Sequence, residues 1–399
     1  MPWEIHDAME QRFRFVDDWN SEEWSMSELC RFYGISRGTG YKWVERYEVG
    51  GMAALQDQSR AAHHHPNAVG PEMEERVIAM RGRHPSWGAP KIRARLEREH
   101  PELELPAEST IGAILKRNGL TVARRRRHKS ERPSEPLGHA GEPNAVWCGD
   151  YKGWFRTGDG RRIDPLTISD SYSRYLFRCQ AVGAADTVHT KAVFEAAFRE
   201  YGMPERIRTD NGAPFGSNGE SGLTALTVWW IKLGIVPEHI RPGKPQQNGR
   251  HERMHRTLKQ ETASPPAAHR RAQQERFDAF RLEYNQERPH EALGQQTPAH
   301  YYRCSDRQYP QRLGEVEYAA DWQVRRVAPR GQIRWSNESI FVSHALQGER
   351  VGLEPIDERR WRVWFCFYEI GVLDAAKGRV QWCRPEEAKE AADGGEVDC

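Results

Sequence analysis

The sequence predicts an α/β fold class: one mixed-sheet domain, all-α units ahead of it and a small β module behind it. Three observations carry this. From Asn144 onward, apolar and aromatic runs of strand length alternate with segments of helical period, whereas residues 24–120 show helical period only. Residues 322–383 carry short Val-, Trp- and Phe-rich runs without helical period, which suggests a small β-barrel-like module. At 399 residues the chain is also too long for one ordinary domain of roughly 100–200 residues. The expected divisions are 1–60 and 71–123 for two helical units joined by a linker at 61–70, a basic linker at 124–143, the mixed-sheet domain at 144–303, the β module at 304–383 and an acidic tail at 384–399.

Composition narrows the class. A hydrophobic fraction of 38% with 34 Gly is near the globular norm and excludes a wholly disordered chain. No run of about 18 uncharged apolar residues occurs, and Met1-Pro2-Trp3-Glu4 is not a charged-then-apolar leader, so a cytoplasmic location is expected. The seven cysteines are odd in number and never form C-x-x-C, which argues against a disulfide framework or a cysteine zinc site. The net charge of +2 hides blocks. Residues 71–130 hold 14 Lys/Arg against 8 Asp/Glu, and residues 241–260 hold 6 against 1, while 384–399 hold 2 against 6. Basic blocks in a near-neutral protein suggest a polyanion partner.

In chain order, Ser25-Met26-Ser27-Glu28 reads as a capping box opening a helix, with Met26, Leu29, Cys30 and Tyr33 on one face and Gly34 as the turn. Ser36 then caps a second helix whose stripe is Gly40, Trp43, Val44 and Tyr47. That pattern reads as a helix-turn-helix, with an ordinary short helical hairpin as the alternative, and it leaves Arg37, Tyr41 and Lys42 outside, near the helix start that in a helix-turn-helix enters a major groove. Gly38 and Gly40 weaken an isolated helix by about 1 kcal/mol each. The histidines at 63–65 read as linker. Val77 and Met80 mark another amphipathic helix. Ser86-Trp87-Gly88-Ala89-Pro90 leads into a basic helix from Lys91 to Arg98, and Ser109 or Thr110 is expected to cap a third. Arg124, Arg125, Arg126 and Arg127 join this unit to the mixed-sheet domain, where phosphate contact is the economical role.

The mixed-sheet domain is expected to run as a strand over 145–155, a hairpin turn at 157–160, strands at 166–169 and 175–182, and a helix over 187–201. That helix would bury Val188, Phe194, Ala197, Phe198 and Tyr201. A strand at 205–210, a Trp-rich helix at 224–233, a strand at 235–240 and a helix near 270–287 complete it. Three acids stand where chemistry would want them. Asp150 interrupts an apolar strand, where a carboxylate is costly unless paired or metal-bound. Asp210 ends a strand and runs into Asn211-Gly212, at the sheet edge where α/β proteins bind ligands. Glu252 opens a helix after a Gly- and Pro-rich loop, and the spacing puts it on one face with His255, Arg256 and Lys259. Each alone has an ordinary explanation, as a misread loop, a turn and a helix-start acid. Asp159, Asp164 and Asp170 compete, but a hairpin turn, a Pro-preceding position and an Asx turn or Arg174 pair account for them locally.

The spacing Asp150, Asp210-Asn211-Gly212 and Gln246-Gln247-Asn248-Gly249 to Glu252 resembles the Asp-Asp-Glu triad of the retroviral-integrase catalytic core. More closely, Arg208–Gly212, His251–Lys259 and Tyr284-Asn285 with Arg288-Pro289-His290 resemble bacterial insertion-sequence transposases built on that core, and Trp87-Gly88 with Lys91-Ile92 and the leading helix-turn-helix match them too. The resemblance spans about residues 20–375. It implies an RNase H-like core and a divalent-metal phosphoryl transferase that acts on double-stranded DNA, at element ends and target, as a homo-oligomer. Asp150, Asp210 and Glu252 would be its catalytic residues and metal ligands. Three carboxylates suit hard Mg²⁺ or Mn²⁺ rather than zinc. Gln247, Asn248, Arg256, Lys259 and Lys91 join Arg37, Tyr41, Lys42 and the Arg124–Arg127 run as expected DNA contacts. Two departures from the retroviral pattern stand out: 41 residues separate Asp210 from Glu252, and no His/Cys zinc module precedes the core. The competing classes are a catalytically silent helix-turn-helix regulator and an RNase H-like nuclease that hydrolyses without joining. A tyrosine recombinase is weaker, since no tyrosine stands out as a nucleophile.

Overall fold

The computed structural model describes residues 8–57, 69–121, 140–217, 219–240 and 249–383. The linker histidines, the Arg124–Arg127 run, Gln247 and Asn248 and the acidic tail lie outside the described residues. The chain divides into two compact units, Met1–Gly70 and Pro71–Cys399.

The first unit holds α1 (Ala8–Asn20), α2 (Met26–Phe32) and α3 (Arg37–Gly50). The sequence reading missed α1, which supplies Phe15 and Val16 to a core completed by Met26, Leu29, Cys30, Val44 and Leu55. The capping box forms as its residues dictate: the Ser25 hydroxyl accepts from the Glu28 amide while the Glu28 carboxylate accepts from the Ser25 amide. Ser36 caps α3 by accepting from the Thr39 amide. Gly40 is buried where the helices cross. A Cβ there would lie 2.6 Å from Cys30 Sγ and 2.9 Å from Met26 Sδ, so the lost helix propensity is exchanged for close packing.

The second unit begins with α4 (Pro71–Arg83), α5 (Ala89–Glu99) and α6 (Glu108–Arg117). Val77, Met80, Trp87, Ile92, Leu96, Ile111 and Ile114 are buried among them. Neither Ser109 nor Thr110 caps α6. Ala107 holds that position without a side-chain bond, and the helix opens at Glu108.

The sheet that follows contains β1 (Val146–Tyr151), β2 (Phe155–Arg156), β3 (Arg162–Asp170), β4 (Leu176–Val182), β5 (Arg206–Thr209) and β6 (Val236–His239). The one strand expected over 145–155 is two, broken at Gly153, whose φ of +85° turns the chain out of the sheet. As a result Asp150 sits near the end of β1 rather than in its middle. β1, β3 and β4 form an antiparallel meander, and β5 and β6 add in parallel beyond β1. Helices α7 (Thr187–Tyr201) and α8 (Ala225–Lys232) cover one face, burying Phe194, Phe198 and Trp230 against Trp147, Leu166 and Phe177. Val188, expected in that interface, is 77% exposed instead. On the other face, Met254 and Leu258 of α9 (Gly249–Thr262) and Phe277, Phe280 and Tyr284 of α10 (Arg270–Gln286) pack on Ile163, Leu176 and Cys179. Strand alternation divides β1 between these layers. Trp147 and Gly149 face α7, where a Cβ on Gly149 would lie 2.7 Å from the Phe194 ring, and Asp150 faces α9. A short α11 (Pro298–Tyr301) ends the region.

The C-terminal module has β7 (Gln323–Arg326), β8 (Gln332–Trp335), β9 (Glu338–Phe341), β10 (Arg350–Pro355), β11 (Arg360–Phe365), β12 (Tyr368–Asp374) and β13 (Arg379–Trp382). Five strands pair antiparallel in the order β13-β12-β11-β10-β7, and β8 and β9 form a separate hairpin, so the sheet is open in its hydrogen bonding rather than a closed barrel. Its apolar core is continuous with Leu223, Val228 and Ile231, the last two on α8. Lys232 pairs with Glu349 at 2.9 Å across the same seam.

Candidate active site

β1 and β5 are parallel neighbours with Cys148 opposite Arg208. Carried two residues further, that register sets Asp150 level with Asp210, at adjoining strand ends. Neighbouring strands lie about 4.8 Å apart, so the two carboxylates share one sheet edge. Asp210 is held in a turn: Gly212 donates its amide to Oδ1 at 3.2 Å, and Asn211 Nδ2 donates to the Ile240 carbonyl at 2.8 Å. His239, at the end of β6, holds Nδ1 3.2 Å from the Asp210 carbonyl, and burial pushes its pKa down.

Helix α9 brings the third acid. Its buried stripe is His251, Met254, His255, Leu258 and Thr262, and Glu252, Arg256 and Lys259 occupy the exposed side. His255 is buried at the edge of the packed face, and it still lines the same cavity as Glu252, Arg256 and Lys259, as the spacing suggested. Its Nδ1 lies 3.7 Å from Asp150 Oδ2, which fixes α9 against the end of β1. Glu252, one turn before His255, lines a cavity of about 440 Å³ together with Lys152, His255, Arg256 and Lys259. The structure thus gathers Asp150 and Asp210 at one edge and sets Glu252 on the rim of an adjoining basic cavity. Among the described residues, the group of possible metal-ligand atoms within 4.8 Å of one another is Asp150 with His251 and His255, and neither Asp210 nor Glu252 belongs to it; the carboxylates taken by themselves offer the hard oxygen donors a divalent cation prefers.

The sequence reading named both His251 and His255 but not that they are buried. His251 Nε2 and His255 Nε2 each lie 2.6 Å from Thr167 Oγ1, and Thr167 is the cross-strand partner of Asp150. Burial holds both imidazoles neutral, pushing His251 down to about 3 and His255 well below the usual range. The 3.7 Å contact to Asp150 is therefore that of a neutral ring and not an ion pair. The i, i+3, i+4, i+7 run from His251 to Leu258 was the available signal, masked by six charged residues on the same helix.

Lys91 is drawn into a half-buried cluster with Arg288, Glu283 and Glu261, where burial and then Arg288 push its pKa down to about 8. Arg288 pairs with Glu261 at 2.5 Å and Glu283 at 3.3 Å, its guanidinium 6.0 Å from the Trp87 ring, and His84 stacks on that ring at 3.8 Å. Asn285 accepts from the Leu176 amide and donates to the Leu176 carbonyl, pinning α10 to β4. Asp164 pairs with Arg162 at 2.8 Å, and Asp170 accepts from the amides of Asn144 and Ser173. In the first unit, Arg37, Tyr41 and Lys42 are exposed on α3, with the Lys42 ammonium 5.5 Å from the Trp43 ring.

Comparison with known proteins agrees with this architecture. Integrase core domain families match residues 140–245 and 233–298. A helix-turn-helix domain family matches 11–63, a homeodomain-like domain family matches 39–115, and the C-terminal domain of IS481 family transposases matches 322–381. The chain is 27% identical over 284 residues to an uncharacterized 31.7 kDa protein of insertion element IS407 from Burkholderia multivorans, covering 69% of this chain and 90% of that one. It is 25% identical over 245 residues to the transposase InsD for insertion element IS2D of Escherichia coli, covering 57% and 77%. The chain carries an integrase core domain and a C-terminal domain of the IS481-transposase type, and its relatives are insertion-element proteins. Among solved structures, the chain resembles the HTLV-2 integrase catalytic core domain in complex with magnesium, at 17% identity, 41% and 99% coverage and a TM-score of 0.32. It also resembles a simian T-cell lymphotropic virus intasome chain, at 14% identity, 75% and 98% coverage and a TM-score of 0.37. The integrase core domain implies cleavage and transfer of DNA strands, with DNA bound through the helix-turn-helix regions. Among the described residues, no helix is long and apolar enough to cross a membrane.

Proposed function

We propose that this chain is a divalent-metal-dependent DNA strand transferase in which Asp150, Asp210 and Glu252 hold Mg²⁺ or Mn²⁺. Its substrates are double-stranded element ends and target DNA, and it works as a homo-oligomer. The observation that carries this reading is the β1–β5 register, which sets two carboxylates level at a sheet edge beside a cavity rimmed by Glu252 and three cations. The ions, when bound, neutralise charge on the phosphoryl group and acidify the attacking water or hydroxyl. The chain itself supplies the oxygen ligands. Lys152, Arg256 and Lys259 neutralise the flanking phosphates, and neutral His255 adds no competing charge beside Asp150. A supercoiled plasmid carrying paired element ends tests the proposal. Nicking with Mg²⁺ or Mn²⁺ and none with EDTA is expected, followed by end-joining to a second DNA. Binding without nicking would favour the silent regulator, and nicking without joining the nuclease.

Lys259 stands seven residues beyond Glu252, roughly 10 Å along the helix at 1.5 Å per residue, which suits a phosphate adjoining the scissile one. Lys259→Ala is expected to raise the half-saturating DNA concentration while leaving the single-turnover rate at saturation near normal. Lys259→Glu is expected to be far worse, because it adds repulsion at a polyanion surface. A large loss of rate at saturation for Lys259→Ala would move this residue into the chemical step. On α3, Lys42→Ala is expected to lower the salt dependence of binding by about one counterion on every sequence. Arg37→Ala is expected to cost about 1–3 kcal/mol and relax specificity at one position. A salt titration in which both variants match the parent would move recognition to another element.

A further inference from the structure

Trp154 is the most exposed tryptophan among the described residues, at 56%, and it stands four residues past Asp150. Single exposed apolar side chains are ordinary, so the exposure alone means little. The surroundings of Trp154 set it apart. Phe155 turns to the core, its ring 6.5 Å from that of Phe277, so period-2 alternation sends Trp154 and Arg156 to the other side. Arg162 is the cross-strand partner of Arg156 and joins them there. The Arg156 and Arg162 guanidiniums lie 5.8 and 5.2 Å from the Trp154 ring centroid. Both are held in place. Arg156 donates to the Gly160 carbonyl at 2.7 Å, and Arg162 donates twice to the buried Asp164 carboxylate at 2.8 Å. The hairpin is held too, since the Gly158 and Asp159 amides donate to the Ala267 and Ala268 carbonyls. The ring is thus a fixed aromatic surface beside two fixed cations, open to water over more than half its area.

The loop and hairpin around it carry Lys152, Arg156, Arg161 and Arg162 against Asp159 and Asp164, and both acids pair with arginines. An aromatic face among cations suits a nucleobase with its phosphates, whereas a protein partner calls for an apolar neighbourhood. Inside a duplex the faces of a base are stacked away, so the ring has to take a base that has left its pair. Chain length keeps Trp154 within about 14 Å of Asp150, at most about four base-pair steps of roughly 3.4 Å. Lys152, between them, lines the same cavity as Glu252. We propose that Trp154 is a stacking platform for an unpaired nucleobase of the DNA being processed, with Arg156 and Arg162 steadying the ring and neutralising the phosphates beside that base. Its nearness to the reacting strand rests on the reading of Asp150 as a metal ligand; the binding of the base does not.

Short duplexes, either blunt or with two unpaired bases at one end, test this with the full chain in EDTA, where no strand is cut. One unpaired base is 2-aminopurine, whose fluorescence falls when it stacks. The parent chain is expected to quench that probe and to bind the unpaired-end duplex about tenfold more tightly than the blunt one, the scale of one base on one aromatic ring. Trp154→Ala is expected to lose the preference and the quenching while binding blunt duplex as the parent does. Trp154→Phe is expected to keep most of the preference, and Trp154→Leu, apolar but without a π face, to lose it. Equal weakening on both duplexes by Trp154→Ala overturns the proposal, because it marks a contact common to all DNA. An unquenched probe in the parent complex overturns it as well, and that measurement decides if Trp154→Ala does not fold. Metal-dependent nicking is read separately. A parent that quenches the probe but does not nick with Mg²⁺ or Mn²⁺ keeps the platform and loses the catalytic reading of Asp150. A parent that nicks without quenching loses the platform alone.

Discussion

Asp150→Asn is expected to lower single-turnover strand cleavage by at least about a thousandfold, the scale of losing several kcal/mol of charge stabilisation at the reacting phosphate. Capture of element ends in a gel shift should persist, because the exposed face of α3 is untouched. Asp210→Asn is expected to match it. Both acids sit at strand ends, so an amide replaces each carboxylate without moving backbone. Gly149 strengthens the point for Asp150: the Phe194 ring packs directly over it, and the strand has little freedom to shift. Glu252→Gln should give the same loss of rate despite its exposed position in the first turn of α9, since the argument needs its charge and not its packing. Parent-like cleavage by any one variant removes that residue from the metal site.

The second large effect is one of stability. Arg288→Ala is expected to cost about 3 kcal/mol, the lower end for breaking a buried pair, because Glu261 and Glu283 keep roughly a quarter and a fifth of their side chains in water. The Arg288 side chain is only 5% exposed and pairs with both acids. Its loss leaves two carboxylates beside one half-buried lysine. Ser86 donates its hydroxyl to Glu261 and Arg98 donates to the Glu287 carbonyl, so this cluster ties α4–α6 to α9 and α10. Hydrogen exchange in residues 71–121 should therefore rise before that of the sheet. A change in unfolding free energy under 1 kcal/mol in urea would show that the pairing is dispensable.

These results bear on what could be seen in the sequence. Asp150 and Asp210 stood out because carboxylates in or beside apolar strands violate the period of their neighbours. Caps were legible for α2 and α3, where Ser25 and Ser36 offer short hydroxyls at the right offset; α6 has no such side chain, and its start was misplaced. Gly40 was read for its helix propensity alone, although its value lies in a contact with residues 10 and 14 positions earlier in the chain. The burial of His251 and His255 was hidden for a related reason. Their partners Thr167 and Ser169 are more than 80 residues away, and only the sheet brings them together. The Tyr-Asn and Arg-Pro-His motif carried a family likeness but no physical role until Asn285 was seen bonded to Leu176 and Arg288 to two acids. Lys91 was legible as a cation, but its near neighbours were not, so its charge looked available for DNA.

The shared apolar cluster between α8 and the C-terminal sheet has a consequence for how such chains can be recombined. Val228 and Ile231 fill the sheet's interior as much as they serve the helix, with Leu223 beside them. A chain cut before β7 would present those side chains to water, at about 25 cal/mol for each Å² uncovered, and would gain a sticky strip where it had a seam. A foreign tail grafted in its place would have to match that strip residue by residue. The module from β7 to β13 is therefore a fitted part of the core, and exchange between relatives should succeed only when α8 travels with it.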